Sequence, residues 1–171
     1  MSAPRAARAL GLALAAALAG CEARAHPPAC PGAPVATLVF SGQADKADGG
    51  ICPSVDGGLA FTGTLSYTDT QAYLCLDRLE SAPLAGDREG DHLTLKAPPA
   101  PATLDACGCP LTVVETLEGD LLRSDGGVTG FSGQLSDDLA PPDGGTAGCE
   151  KDGGTACGVP CTARWTVTGA P

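Results

Sequence analysis

Aromatic side chains are scarce: Phe40, Phe61, Tyr67, Tyr73, Phe131 and Trp165 are all that 171 residues contain. With 24 Gly and 15 Pro beside them, the chain is expected to have a thin core and many loops. Histidine is scarcer still. A Ser or Cys nucleophile needs a base beside it, and only His26 and His92 exist. His26 falls in a Pro-rich stretch, and His92, next to Asp91, falls on the polar face of a predicted strand. A Gly-x-Ser-x-Gly elbow and a phosphate-binding loop are both missing. Paired carboxylates for glycoside hydrolysis could be drawn from the many acids, but one Trp and two Tyr leave little for sugar platforms. No catalytic residue, cofactor or enzymatic activity is therefore expected.

Long apolar runs are missing too. The longest, Ala9 to Ala19, is about half of the ~20 residues a helix needs to span a bilayer. It follows Arg5 and Arg8 with no acidic residue, which is the basic n-region and apolar h-region of a secretory signal. Two alanines separate those arginines, so the twin-arginine export signal is absent. The run closes on Leu18-Ala19-Gly20-Cys21, which resembles the lipobox of bacterial lipoproteins at each position. The resemblance implies cleavage between Gly20 and Cys21, a diacylglyceryl group on the Cys21 sulfur and acylation of the new amine. It also implies passage through the lipoprotein-processing and sorting machinery. One acyl chain holds only marginally at about 0.8 kcal/mol per buried CH2, whereas two or three anchor stably. Glu22 stands where Asp would retain such a protein in the inner membrane, which points to the outer membrane.

Removing residues 1 to 20 takes away two arginines and no acid, leaving 20 acidic groups against 8 basic ones, a net charge of -12. Such a surface repels nucleic acid and anionic headgroups, so no nucleic-acid partner is expected.

Nine cysteines become eight if Cys21 carries lipid. An even set in an exported chain reads as disulfides, up to four, among Cys30, Cys52, Cys75, Cys107, Cys109, Cys149, Cys157 and Cys161. The spacing leaves the pairing open, although Cys107 and Cys109 are too close to pair with each other comfortably, and one local bridge within Cys149, Cys157 and Cys161 is plausible geometry. A thiolate metal site at Cys107-Gly108-Cys109 lacks any nearby His. Asp45 to Gly50 lacks the alternating oxygens and closing Glu of a calcium loop. No metal site is expected.

Residues 21 to 34 carry Pro27, Pro28, Pro31 and Pro34 and read as an extended tether, shorter in effect if Cys30 is bridged. From residue 35 to 171 one domain is expected. Period-two alternation marks strands at Val35 to Ala44, Leu59 to Tyr67, Ala72 to Arg78, His92 to Ala97, Leu111 to Glu118, Val128 to Ser136 and Cys161 to Thr168. Asp-Gly-Gly turns start at Asp48, Asp56, Asp125, Asp143 and Asp152, and a Gly/Asp/Pro-rich loop lies near 137 to 160. Leu76 to Leu84 could hold a short helical turn. Phe40-Ser41-Gly42, Phe61-Thr62-Gly63 and Phe131-Ser132-Gly133 repeat one phrase, read as glycine permitting the sheet to bend beside a bulky ring rather than as a ligand-lined surface.

The expected fold is all-β: a disulfide-bonded antiparallel β-sandwich or small β-barrel of about seven to eight strands. Two functions fit it, a structural or interaction module held at the membrane, or a lipocalin-like carrier of a small apolar ligand. The state of the interior distinguishes them: a filled core favours the module, an apolar cavity the carrier.

Overall fold

The computed structural model describes residues 29–45, 58–77, 82–104, 109–142, 150–151, 155–156 and 158–171. The leader, Gly20, Cys21 and His26 lie outside these residues, as do Cys52, Cys107, Cys149, Cys157 and four of the five Asp-Gly-Gly aspartates.

Among the described residues eleven strands follow in order: β1 (Ala33–Ala44), β2 (Gly58–Tyr67), β3 (Ala72–Leu76), β4 (Leu84–Glu89), β5 (His92–Lys96), β6 (Ala100–Leu104), β7 (Cys109–Ser124), β8 (Gly127–Ala140), β9 (Glu150–Lys151), β10 (Thr155–Ala156) and β11 (Cys161–Ala170). All pairings are antiparallel. Neighbours run β5-β4-β3-β2-β1-β11-β8-β7, and β7 pairs back onto β5, so eight strands close into a barrel rather than a sandwich. β6 is the extra strand, paired with β7 beyond the point where β5 stops. β9 and β10 form a separate two-stranded hairpin.

Alternation explains the inner face. Leu38, Phe40 and Gly42 of β1, Phe61, Gly63 and Leu65 of β2, and Ala163, Val167 and Gly169 of β11 point inward, and the outward residues between them are hydroxylated or polar apart from Val39. β4 is a strand that alternation does not reveal, because Leu84-Ala85-Gly86-Asp87-Arg88-Glu89 is polar over its second half. It forms because β3 and β5 supply hydrogen-bonding partners on both edges and Leu84 is buried between them. β6 carries Pro101, which suits a strand paired on one edge only. Of the segment Leu76 to Leu84, where a short helical turn is expected, Leu76 ends β3 and Leu84 begins β4, and residues 78–81 lie outside the described residues. β8 also runs to Ala140, so residues 137 to 140 are strand rather than loop. Within the expected tether, Ala33 and Pro34 already belong to β1.

The two ends of the barrel differ. At one end, where β1 starts and β11 finishes, the turns are short: 68 to 71, 90 to 91, and Asp125-Gly126 between β7 and β8. The long connections, 45 to 57 and 141 to 160, lie at the other.

Inside, large and small residues interlock. Phe61, Phe40, Gly169, Phe131 and Leu121 are successive cross-strand neighbours round the wall. Phe40 stacks on Phe61 with centroids 4.7 Å apart and meets Phe131 edge-on at 5.7 Å. In the next row Gly119 faces Gly133 across β7 and β8, and the Phe131 ring fills the room above both. A Cβ on Gly133 would stand 2.1 Å from the Glu118 carbonyl oxygen and 2.8 Å from Phe131 Cζ. Glycine there is a packing requirement of close strand approach.

Candidate functional site

Three places in the described residues could carry function: the interior, the short-turn end and the outer seam where β5 meets β7.

The interior is occupied by its own side chains. Leu38, Phe40, Leu65, Leu74, Leu93, Leu95, Leu117, Leu121 and Phe131 surround a central void of about 10 Å³, room for about one water molecule. All nine are within a few per cent of complete burial. Burying each such side chain stabilises the fold by about 1.5–3 kcal/mol, so emptying the interior for a ligand would forfeit much of the core.

At the short-turn end, Tyr67 points into the barrel mouth. The guanidinium of Arg88 lies 4.5 Å from the centre of its ring, a cation–π contact of about 0.5–1 kcal/mol at an exposed site. Arg123 donates from Nε to Asp91 Oδ1 at 2.5 Å, and this hydrogen bond, with the Asp91 charge, raises the arginine's pKa. Tyr67 Oη is buried close to Arg123 and adds to the rise in the arginine's pKa. The group forms a polar plug beside Tyr67 at this end of the barrel.

His92 lies on the outer face of β5, as the alternation predicted. Its Nδ1 is 2.9 Å from Asp120 Oδ1, and its Nε2 is 3.6 Å from Glu118 Oε1. The Asp120 hydrogen bond is the main reason its pKa rises, with the charges of Asp120, Glu118 and Glu89 adding to it against some desolvation. Both ring nitrogens face carboxylates, so this imidazole serves as an exposed cross-strand ion-pair partner. Among the described residues no group of three or more His, Cys, Asp or Glu side chains is arranged to hold a metal ion.

Of the eight cysteines expected in disulfides, Cys30 and Cys75 are bonded to each other, with Cα atoms 5.7 Å apart. Cys161, opening β11, is also disulfide-bonded. Cys109 opens β7. The sequence did not indicate the Cys30–Cys75 pairing; what it reveals afterwards is that Cys75 occupies an outward position of β3. Cys30 is held against the barrel by more than the bridge. Its Sγ lies 3.1 Å from Ser66 Oγ, and Ser66 donates to the Pro31 carbonyl. Gly32, at φ 82°, turns the chain against the Tyr67 carbonyl, where a Cβ would stand 2.3 Å away. The chain therefore reaches the barrel on the outer wall of β2 and β3, turns under its short-turn end and enters β1.

The anchor residues Gly20 and Cys21 lie outside the described residues, so the fold adds no geometry to them. Comparison with protein-family models, with curated proteins and with solved structures returns no match for this chain.

Proposed function

We propose that this chain is a bacterial lipoprotein precursor, cut before Cys21 and held at a membrane by lipid on that residue, the outer membrane in view of Glu22. Its barrel acts there as a non-catalytic structural or interaction module. The observation that favours a module over an apolar-ligand carrier is the filled interior: the space left among Leu38, Phe40, Leu74, Leu95 and their neighbours is about 10 Å³. Ligand pockets of carriers and enzymes run to about 300–1,000 Å³. The anchoring half of the reading is supported by the lipobox resemblance and by cysteine parity, since setting Cys21 aside leaves an even number.

Two measurements test it. Cys21→Ala, expressed in a bacterium that processes lipoproteins and fed radiolabelled palmitate, should abolish incorporation of label into the protein; undiminished labelling refutes the anchor. Titration of the delipidated domain with an environment-sensitive apolar dye and with medium-chain fatty acids should give no saturable binding. Stoichiometric, micromolar binding would replace the module by the carrier.

A further inference from the structure

We propose that the wall formed by β11, β1, β2 and β3 is the face this barrel turns towards the lipid surface. The proposal rests on the anchoring at Cys21 put forward above and adds which side of the molecule meets the bilayer.

The tether's exit is the first observation. Cys30 is fixed to the outer wall by its bond to Cys75 of β3, and Pro31 by Ser66 of β2. Only residues 22 to 29 separate that point from Cys21. Fully extended, they reach no more than roughly 30 Å. The tether therefore leaves the domain on its β2–β3 side, near the short-turn end.

The second observation is independent of the tether and concerns charge. Outward side chains on the exit side are Thr37, Val39, Ser41 and Gln43 of β1, Ala60, Thr62 and Thr64 of β2, Tyr73 of β3, and Thr166, Thr168 and Ala170 of β11. None is charged, and Arg164 of β11, a cation that suits lipid phosphate, is the single charged outward residue on these four strands. Acids touch this wall at its long-loop end, where Asp45, just past β1, accepts from Thr166 Oγ1 and Gln134 Nε2, and Asp138 of β8 accepts from Thr162 Oγ1; a second group of acids lies across the barrel. Asp87 and Glu89 of β4 and Glu118 and Asp120 of β7 face outward there, with His92 and Lys96 of β5 between them. In the closed order β5-β4-β3-β2-β1-β11-β8-β7, strands β4, β5 and β7 stand opposite β11, β1 and β2. In a chain carrying -12 beyond residue 20, the wall whose strands carry the fewest charges is the one that approaches a surface of like sign with least repulsion. Facing sheets are about 10 Å apart, and charges on the far wall are screened over about 8 Å at physiological salt. Val39, 56 % exposed, and Tyr73, whose amphipathic ring suits the headgroup region, lie on this wall.

The test uses the mature, acylated protein, beginning at Cys21, in bilayer nanodiscs doped with a headgroup-chelated gadolinium lipid. Amide relaxation enhancement should be several-fold larger at Val39, Thr62, Tyr73 and Thr168 than at Asp87, Thr94 and Asp120. Equal or reversed enhancement overturns the orientation. Val39→Glu with Thr168→Glu, both outward and exposed, should reduce that contrast on discs containing anionic lipid; an unchanged contrast also overturns it. Intact mass on the same sample separates the two claims. An unmodified Cys21 overturns anchoring and orientation together, whereas uniform enhancement in an acylated, disc-bound protein overturns the orientation alone.

Discussion

Replacing Phe40 by alanine measures whether the barrel is a solid core. Phe40 is 1 % exposed, stacks on Phe61 at 4.7 Å and meets Phe131 at 5.7 Å. Its ring carbons also come within 3.1 and 3.2 Å of the point where a Cβ on Gly169 would stand. Truncation loses the transfer energy of the ring and leaves a cavity that the hydrogen-bonded wall cannot collapse to fill. Phe→Ala in such a site costs about 3–5 kcal/mol. Aromatic pairs contribute about 0.5–1.5 kcal/mol beyond area burial, so with two of them the expected loss is at the upper end, about 4–5 kcal/mol. Urea unfolding with the disulfides intact, followed by emission of the single Trp165, reads this directly. Val39→Ala on the outer wall serves as control and should stay within about 0.5 kcal/mol. A Phe40→Ala loss below about 2 kcal/mol at unchanged m would refute the packing argument, because it is what removing a side chain from the edge of a wet cavity would give.

Gly133→Ala should be worse than its size suggests. The new Cβ would meet the Glu118 carbonyl and the Gly119 Cα, both backbone atoms, so about 2–3 kcal/mol or more is expected from overpacking, read as a lower urea midpoint. Replacing Cys30 and Cys75 together by alanine releases a loop of sequence separation 45. The chain-entropy relation puts the loss at about 4 kcal/mol, to be checked by the same unfolding experiment. The pKa of His92 is raised in the fold, so its contribution is fully present below the unfolded value of 6.5 and is lost as pH rises through the folded one. NMR titration of the imidazole should give a midpoint above 6.5, and Asp120→Asn should lower it; no change on that substitution would contradict the assignment of its main cause.

Much of the wall was legible from period-two alternation, because a barrel with a solvated outer face imposes it directly. Leu38/Phe40/Gly42 against Thr37/Val39/Ser41 and Ala163/Trp165/Val167 against Thr162/Arg164/Thr166 read correctly for that reason. β4 and β6 were not legible. Their strand state comes from neighbours that complete their ladders, not from Asp87-Arg88-Glu89 or from Ala100-Pro101, whose local preferences run the other way. Closure was equally hidden, since the β5–β7 and β1–β11 pairings join segments distant in sequence. The plug of Tyr67, Arg88 and Arg123 comes from three strands, and each residue alone reads as an ordinary strand end. The link between Cys30 and Cys75 depends on the turn at Gly32, which places the segment before β1 on the outer wall; spacing carries no trace of it.

Intact-mass analysis of the protein extracted from membranes, before and after reduction, tests the account most directly. The predicted product begins at Cys21, carries the mass of the diacylglyceryl group and the amide-linked acyl chain, and gains about eight hydrogens on reduction, two for each of four disulfides. A chain that retains residues 1 to 20, or one that starts at Cys21 without acyl mass, would contradict it.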